Sequence, residues 1–294
     1  MLGYLFVLIS ALSGATKGYL GKKISNKTSE YPQAVFVNIV RMMLCVVISF
    51  ASMYVETGKI FTDIDASAVI YGCMSGVTTS LFVVSWLLCV RHGAFMLVSI
   101  AQMFGVVITL VLSFVIFGET VEPKQFAGVT FLIAAVLVML SYNMKIKGKM
   151  TLTAALLLLL CGVSSGLCDF SMKLYTSFSA SSVSMLNLIT YIVSALFLGV
   201  CSLISKSKSR FDKKTLLKET FISLAFMAVC LFLNTFFKAQ ATKTLTATQI
   251  YPVYQALGLI MSAVMSAVFF KEKLNGRSIA GIVLAFMALI FINM

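Results

Sequence analysis

Four basic side chains and one acid, Lys17, Arg41, Lys173, Lys238 and Asp169, interrupt stretches that are otherwise apolar. A charge in hydrocarbon is costly, so it persists where it pairs, binds a ligand or reaches water. Arg41 lies nine residues into its run, too deep to reach the interface. Its planar fork suits a carboxylate, or else the carbonyls at a helix end, a structural or gating role. Lys17 follows Gly14 by three and Asp169 follows Gly166 by three, so matching these small-residue segments makes the two charges equivalent. They could meet as a pair. Alternatively Lys17 reaches the interface beside Lys22 and Lys23, and Asp169 pairs with Lys173 at i+4. Lys173 and Lys238 fall about a turn from the ends of their runs, where snorkelling competes with substrate contact.

A second group surrounds Pro252: Gln249, Tyr251, Tyr254 and Gln255, with Thr246 and Thr248 just before. Proline removes a backbone donor and frees a carbonyl, here expected at mid-depth, which protein or a watery cavity must satisfy. Tyr251 and Gln255, at i and i+4, share a face that could present a ring and an amide to a bound organic molecule or to a neighbouring helix. Trp86, Asn187 and Gln102 are further candidates for lining a substrate path. Glu119 and Glu272 each stand at the exit of an apolar run and are expected to cap the helix that follows, or to pair with a nearby Lys, rather than to carry protons. No G-x-x-x-x-G-K-[ST] or H-E-x-x-H occurs, and a lone His92 leaves no metal site, so the chain is read as a non-enzyme with no cofactor. The seven cysteines all fall in apolar runs without a C-x-x-C and read as helix-packing residues.

These residues must be positioned by membrane helices. Of the 294 residues, 60% are hydrophobic and 11% charged, far outside the soluble norm. Apolar runs predict ten spans, roughly 2–20, 32–55, 66–90, 94–117, 123–143, 151–173, 181–204, 218–240, 245–270 and 275–293. The first is expected to be a retained helix rather than a signal peptide. The formal net charge of +13 sits mostly in connectors, which favours a topological reading over nucleic-acid binding. A multi-pass protein of the cell or plasma membrane, monomeric or weakly dimeric, is expected.

Sliding the chain against itself by 153 residues aligns 94–138 with 247–291 without gaps, at eleven identities in forty-five positions. Composition alone would give about four, so the excess marks an internal repeat. Gln102, Gly105, Thr109 and Ser113 match Gln255, Gly258, Ser262 and Ser266, a small or polar stripe down one helix face. Glu119 matches Glu272, and Gly128 matches Gly281, both read as close-packing glycines. The chain divides into units 1–145 and 150–294 of five spans each. Because five is odd, the second unit enters the membrane from the opposite side, an inverted repeat that can expose a midplane site to each side in turn.

Phe117-Gly-Glu119 through Ala127-Gly128, and Phe270-Lys-Glu272 through Ala280-Gly281, resemble the G-E-x-x-x-x-x-x-x-G element of the drug/metabolite transporter superfamily, specifically ten-helix transporters with two EamA-type halves. Pro252 resembles that family's proline in the penultimate helix, and Asn38-Ile-Val-Arg41 its membrane arginine. Ser99 stands opposite Pro252 in the repeat, and Ser13 and Ser165 replace the tryptophan common in the first and sixth helices. The resemblance covers essentially the whole chain and implies alternating-access transport of a small organic solute. The related small multidrug pumps carry a carboxylate in the first helix; Ser13-Gly14 and Ser165-Gly166 have none, which disfavours a proton-coupled exporter of lipophilic cations.

The excess of Arg and Lys over Asp within the spans favours a solute with a carboxylate, an amino acid or organic acid, with export the expected direction. The other class open to such a chain is a non-transporting membrane subunit or receptor that keeps the fold. Sixteen of the 23 Lys and Arg sit in or beside odd-numbered connectors and three in even-numbered ones. By the positive-inside rule both termini lie outside, whereas the resemblance implies termini inside; the charge bias is the more direct determinant.

Overall fold

A computed structural model describes residues 2–25, 27–28, 30–58, 64–92, 95–119, 122–147, 152–204, 212–269 and 276–293. These form ten helices: α1 (Leu2–Ser25), α2 (Tyr31–Thr57), α3 (Ala66–His92), α4 (Phe95–Phe117), α5 (Pro123–Lys147), α6 (Leu152–Phe178), α7 (Val183–Ile204), α8 (Lys213–Thr242), α9 (Ala247–Phe269) and α10 (Gly276–Asn293). Five of them, α2, α3, α6, α7 and α8, hold described segments long and apolar enough to cross a bilayer. Local chemistry sets the ends. Pro32 opens α2 where its missing N–H costs nothing. Gly58 closes α2 at φ 66°, donating to the Tyr54 carbonyl, and Gly118 closes α4 at φ 63°. Asp212 caps α8 by accepting from the Lys214 N–H.

The two halves are intertwined. The broadest helix contacts join α3 to α6, α1 to α8, α5 to α10, α2 to α7 and α4 to α6, each pairing one half with the other. Outward faces carry leucine, valine and phenylalanine, including Leu12, Val47, Leu196, Leu203, Ile222 and Phe226, while Ser10, Asn38, Thr109, Asn187 and Asn234 are buried. That distribution suits a lipid surround, where helices associate through small and polar contacts rather than by hiding apolar surface from water.

The α4–α6 crossing is the closest approach of this kind. A Cβ at Gly105 would stand 2.6 Å from the Gly162 carbonyl oxygen and 2.7 Å from the Gly166 nitrogen, and Thr109 Oγ1 donates to the Gly166 carbonyl at 3.0 Å. Gly128 and Gly281 are both buried on α5 and α10. Gly258 departs from the close packing expected of its repeat partner: it is half-buried, and among described residues no atom lies within 4 Å of its Cβ position. Pro252 is the sixth residue of α9, buried near that helix's start.

Candidate functional site

Arg41 stands on α2 one turn after Asn38, whose Nδ2 donates to the Ala34 carbonyl at 2.8 Å and the Val83 carbonyl at 3.5 Å, tying α2 to α3. The residue is 2% exposed. Nη1 donates weakly to Met227 Sδ at 3.5 Å, and Nε and Nη2 have no hydrogen-bond partner among the described residues. Those two nitrogens share one edge of the guanidinium plane, the edge that grips a carboxylate or phosphate side-on. Lys17 on α1 lines the same cavity, its Nζ 5.7 Å from the centroid of the Phe82 ring. Val83, Trp86 and Met227 complete the wall, so α1, α2 and α3 of one half meet α8 of the other. Among the described residues no carboxylate pairs with Lys17 or Arg41. The cavity offers about 10 Å³ to the centre of a water molecule, room for about one water. Trp86 roofs it, and the far edge of the indole lies so close to Gly21 that a Cβ there would collide with Cη2 and Cζ3.

Toward the α9 start lies a second, fully paired network. Asp169 on α6 accepts from Lys238 Nζ at 2.7 Å, both side chains under 10% exposed. This corrects three expectations: Asp169 pairs with neither Lys17 nor Lys173, and Lys238 does not snorkel. Lys238 belongs to the eighth helix, which packs on both halves and carries its ammonium inward. Nζ also stands 4.2 Å from the Tyr254 ring centroid. The Tyr254 hydroxyl accepts from Asn234 Nδ2 at 2.8 Å, and Asn234 also donates to the Ser10 carbonyl at 2.8 Å. Tyr251 is fully buried, and its hydroxyl donates to the Asp169 backbone carbonyl at 2.7 Å. It clasps α9 to α6 and takes no part in the Arg41 cavity; neither does Gln255, buried one turn further on.

A third set of contacts closes the end of the bundle that carries the even-numbered connectors. Lys173 Nζ is 3.0 Å from Glu119 Oε1, and Glu119 Oε2 accepts from the Ala247 N–H at 2.9 Å. Glu119 therefore caps α9 of the other half, not the α5 that follows it; the α5 start is served by Gln125, whose Oε1 accepts from the Glu122 N–H. Glu272 lies outside the described residues. Asp65 Oδ1 accepts from the hydroxyls of Ser179 at 2.8 Å and Ser181 at 2.5 Å, so the second connector is tied to the sixth. These bonds hold its carboxyl below the usual carboxylate range, Ser181 first.

Of the residues singled out in the sequence, Lys17, Arg41 and Trp86 thus come together at one cavity. Asp169, Lys238, Tyr254 and Tyr251 form the neighbouring network. Asn187 is buried on α7, its Nδ2 without a partner among the described residues, and Gln102 is half-buried on α4; neither lines the cavity. Ser10, Phe82, Met227 and Asn234 were not marked by the sequence reading. Asn234, polar in the middle of an apolar run, carried a signal; Phe82 and Met227, apolar among apolar residues, carried none.

No curated protein matches the chain. One solved structure, described as "Crystal structure of protein", shares the fold at a TM-score of 0.72 and 11% identity, covering 99% of this chain and 94% of that one. The EamA-like transporter family matches twice, over residues 1–141 and 152–294, one match on each half whose helices enclose the Arg41 cavity. The chain is a multi-pass membrane protein and belongs to the EamA-like transporter family.

Proposed function

We propose that this protein is a secondary transporter of a small organic solute bearing a carboxylate, an amino acid or organic acid, moved outward by alternating access between two five-helix halves of inverted orientation. The observation that carries this reading is the side-on edge of Arg41, which has no hydrogen-bond partner and, like the adjacent Lys17, no paired carboxylate among the described residues. An uncompensated cation at membrane depth costs about 3 kcal/mol or more. An oxyanion gripped by both nitrogens, with Lys17 as a second donor, offsets that cost and converts it into affinity. The cavity has room for about one water, less than a carboxylate head group needs. Loading and release therefore need rearrangement of the helices, as alternating access requires.

The test is flux into proteoliposomes holding the purified full-length protein, with a panel of radiolabelled amino acids, mono- and dicarboxylates, amines and nucleosides. At least one carboxylate is expected to move above empty vesicles. Arg41→Gln is expected to lower that flux at least tenfold, with Arg41→Lys recovering part of it. Absence of flux across the panel overturns transport, and saturable binding without flux favours a receptor that keeps the fold. Wild-type flux in Arg41→Gln removes the proposed site.

A further inference from the structure

Gly105 of α4 and Gly258 of α9 occupy the same place in the repeat. Each belongs to a helix that packs on one from the opposite half, α4 on α6 and α9 on α1. At the first the backbones touch: a Cβ on Gly105 would clash with Gly162 and Gly166, and one on Gly166 with Gly105. At the second, among the described residues, no atom lies within 4 Å of the Gly258 Cβ position. What fills the second crossing is Tyr254, one turn before Gly258 on the same face, where α4 carries Ala101. The Tyr254 hydroxyl lies 2.8 Å from the Cβ position of Gly14 on α1, the counterpart of Gly166.

The ring is held in that gap by residues of two helices, α8 and α6. Asn234 donates to its hydroxyl, Lys238 lies over its face, and Asp169 holds Lys238. Glycine inside a helix is unfavourable unless a close backbone approach demands it. In this conformation no described atom comes within 4 Å of the Gly258 Cβ position, although its repeat partner is packed to backbone contact.

We infer that Tyr254 is a wedge holding α9 away from α1 in this conformation, and that Gly258 is the contact surface of a second conformation in which the ring has withdrawn and α9 closes on α1 at Gly14. The crossings α4–α6 and α9–α1 then exchange closed and open states. The role of that exchange in transport rests on the function proposed above. The wedge meets α1 at Gly14, one turn from Lys17, so an anion between Lys17 and Arg41 and the Tyr254 ring act on the same stretch of helix.

The full-length protein in lipid nanodiscs, its native cysteines replaced by serine or alanine, tests this with spin labels at Leu12 and Val264, exposed positions on α1 and α9. Tyr254→Ala is expected to move the main distance population to shorter values, and Gly258→Leu added to that variant is expected to cancel the shift. Gly258→Leu alone, filling open space, is expected to leave both the distance and the thermal unfolding temperature unchanged while reducing flux at least tenfold. An unchanged distance in folded Tyr254→Ala overturns the wedge. A large drop in the unfolding temperature of Gly258→Leu, or wild-type flux in it, overturns the second role of Gly258, and this variant decides the matter should Tyr254→Ala not fold. If the wild type moves no solute, the transport reading fails and the label distances still decide the wedge.

Discussion

Arg41 and Asp169 are both charged groups buried in a membrane protein, and they satisfy the cost in opposite ways. Asp169 has its counter-ion built in, whereas Arg41 keeps two nitrogens open. Removing one partner of the buried pair, as in Asp169→Asn or Lys238→Met, is expected to cost about 3–5 kcal/mol in unfolding free energy, because the remaining charge is stranded. The double charge swap Asp169→Lys with Lys238→Asp is expected to recover part of it, read as a positive coupling in a double-mutant cycle; additive losses would sever the pair's energetic link. Asp65 is a separate case at the aqueous end. Since serine hydroxyls depress its folded pKa, its contribution to stability is full above about pH 4, the unfolded carboxylate range, and fades as pH falls through the folded value. Asp65→Asn is therefore expected to lower the unfolding temperature at pH 7 and to differ progressively less from wild type as pH drops below about 4; a pH-independent difference would contradict the hydroxyl contacts. The sequence marked Arg41, Lys238 and Asp169 because charge amid apolar neighbours is visible in one dimension. Who pairs with whom was not visible: Gly14 and Gly166 made Lys17 and Asp169 look equivalent, yet the Asp169 partner comes from α8, sixty-nine residues away.

Helix ends and crossings carry the next layer of information. Glu119 serves two duties from the end of α4, pairing with Lys173 and capping α9, so it binds three helices from both halves at one point. Glu119→Gln keeps an amide oxygen for the Ala247 N–H but loses the charge, whereas Glu119→Ala loses both. Unfolding temperatures are expected to fall in the order wild type, Gln, Ala, with Ala about 2 kcal/mol or more below wild type from the stranded lysine and the open helix start together. Equal values for Gln and Ala would remove the capping role. At the α4–α6 crossing, Gly105→Ala forces backbones apart and is expected to cost about 1–3 kcal/mol, while Gly258→Ala is expected to be near neutral in stability. The order and bounds of the helices followed from apolar runs and punctuating Gly, Pro and charge. The repeat predicted that Gly105 and Gly258 would pack alike; the difference arises from one substitution on the neighbouring turn, Tyr254 for Ala101, whose effect depends on a helix the repeat comparison does not include.

Across the molecule, every broad interface crosses from one half to the other, so the five-helix unit visible in the sequence is a unit of ancestry and not of packing. Connector charge sets the expected orientation: with sixteen basic residues at odd-numbered connectors and three at even ones, reporter fusions within 205–209 are expected to read cytoplasmic and a fusion at Met294 external. A cytoplasmic signal at Met294 would reverse the topology and leave the interior assignments intact. The intertwined pairing also has a consequence during synthesis. The chief partner of α1 is α8 and that of α2 is α7, so Lys17 and Arg41 emerge long before α8, whose Met227 completes their cavity. At about 5–20 residues per second, the ribosome leaves the first three helices waiting for tens of seconds with a lysine, an arginine and their glycine faces unmatched. Releasing these helices singly into lipid would leave those charges at a cost of about 3 kcal/mol each. Chains stalled after α5 are therefore expected to stay crosslinkable to the insertion machinery for longer than full-length chains.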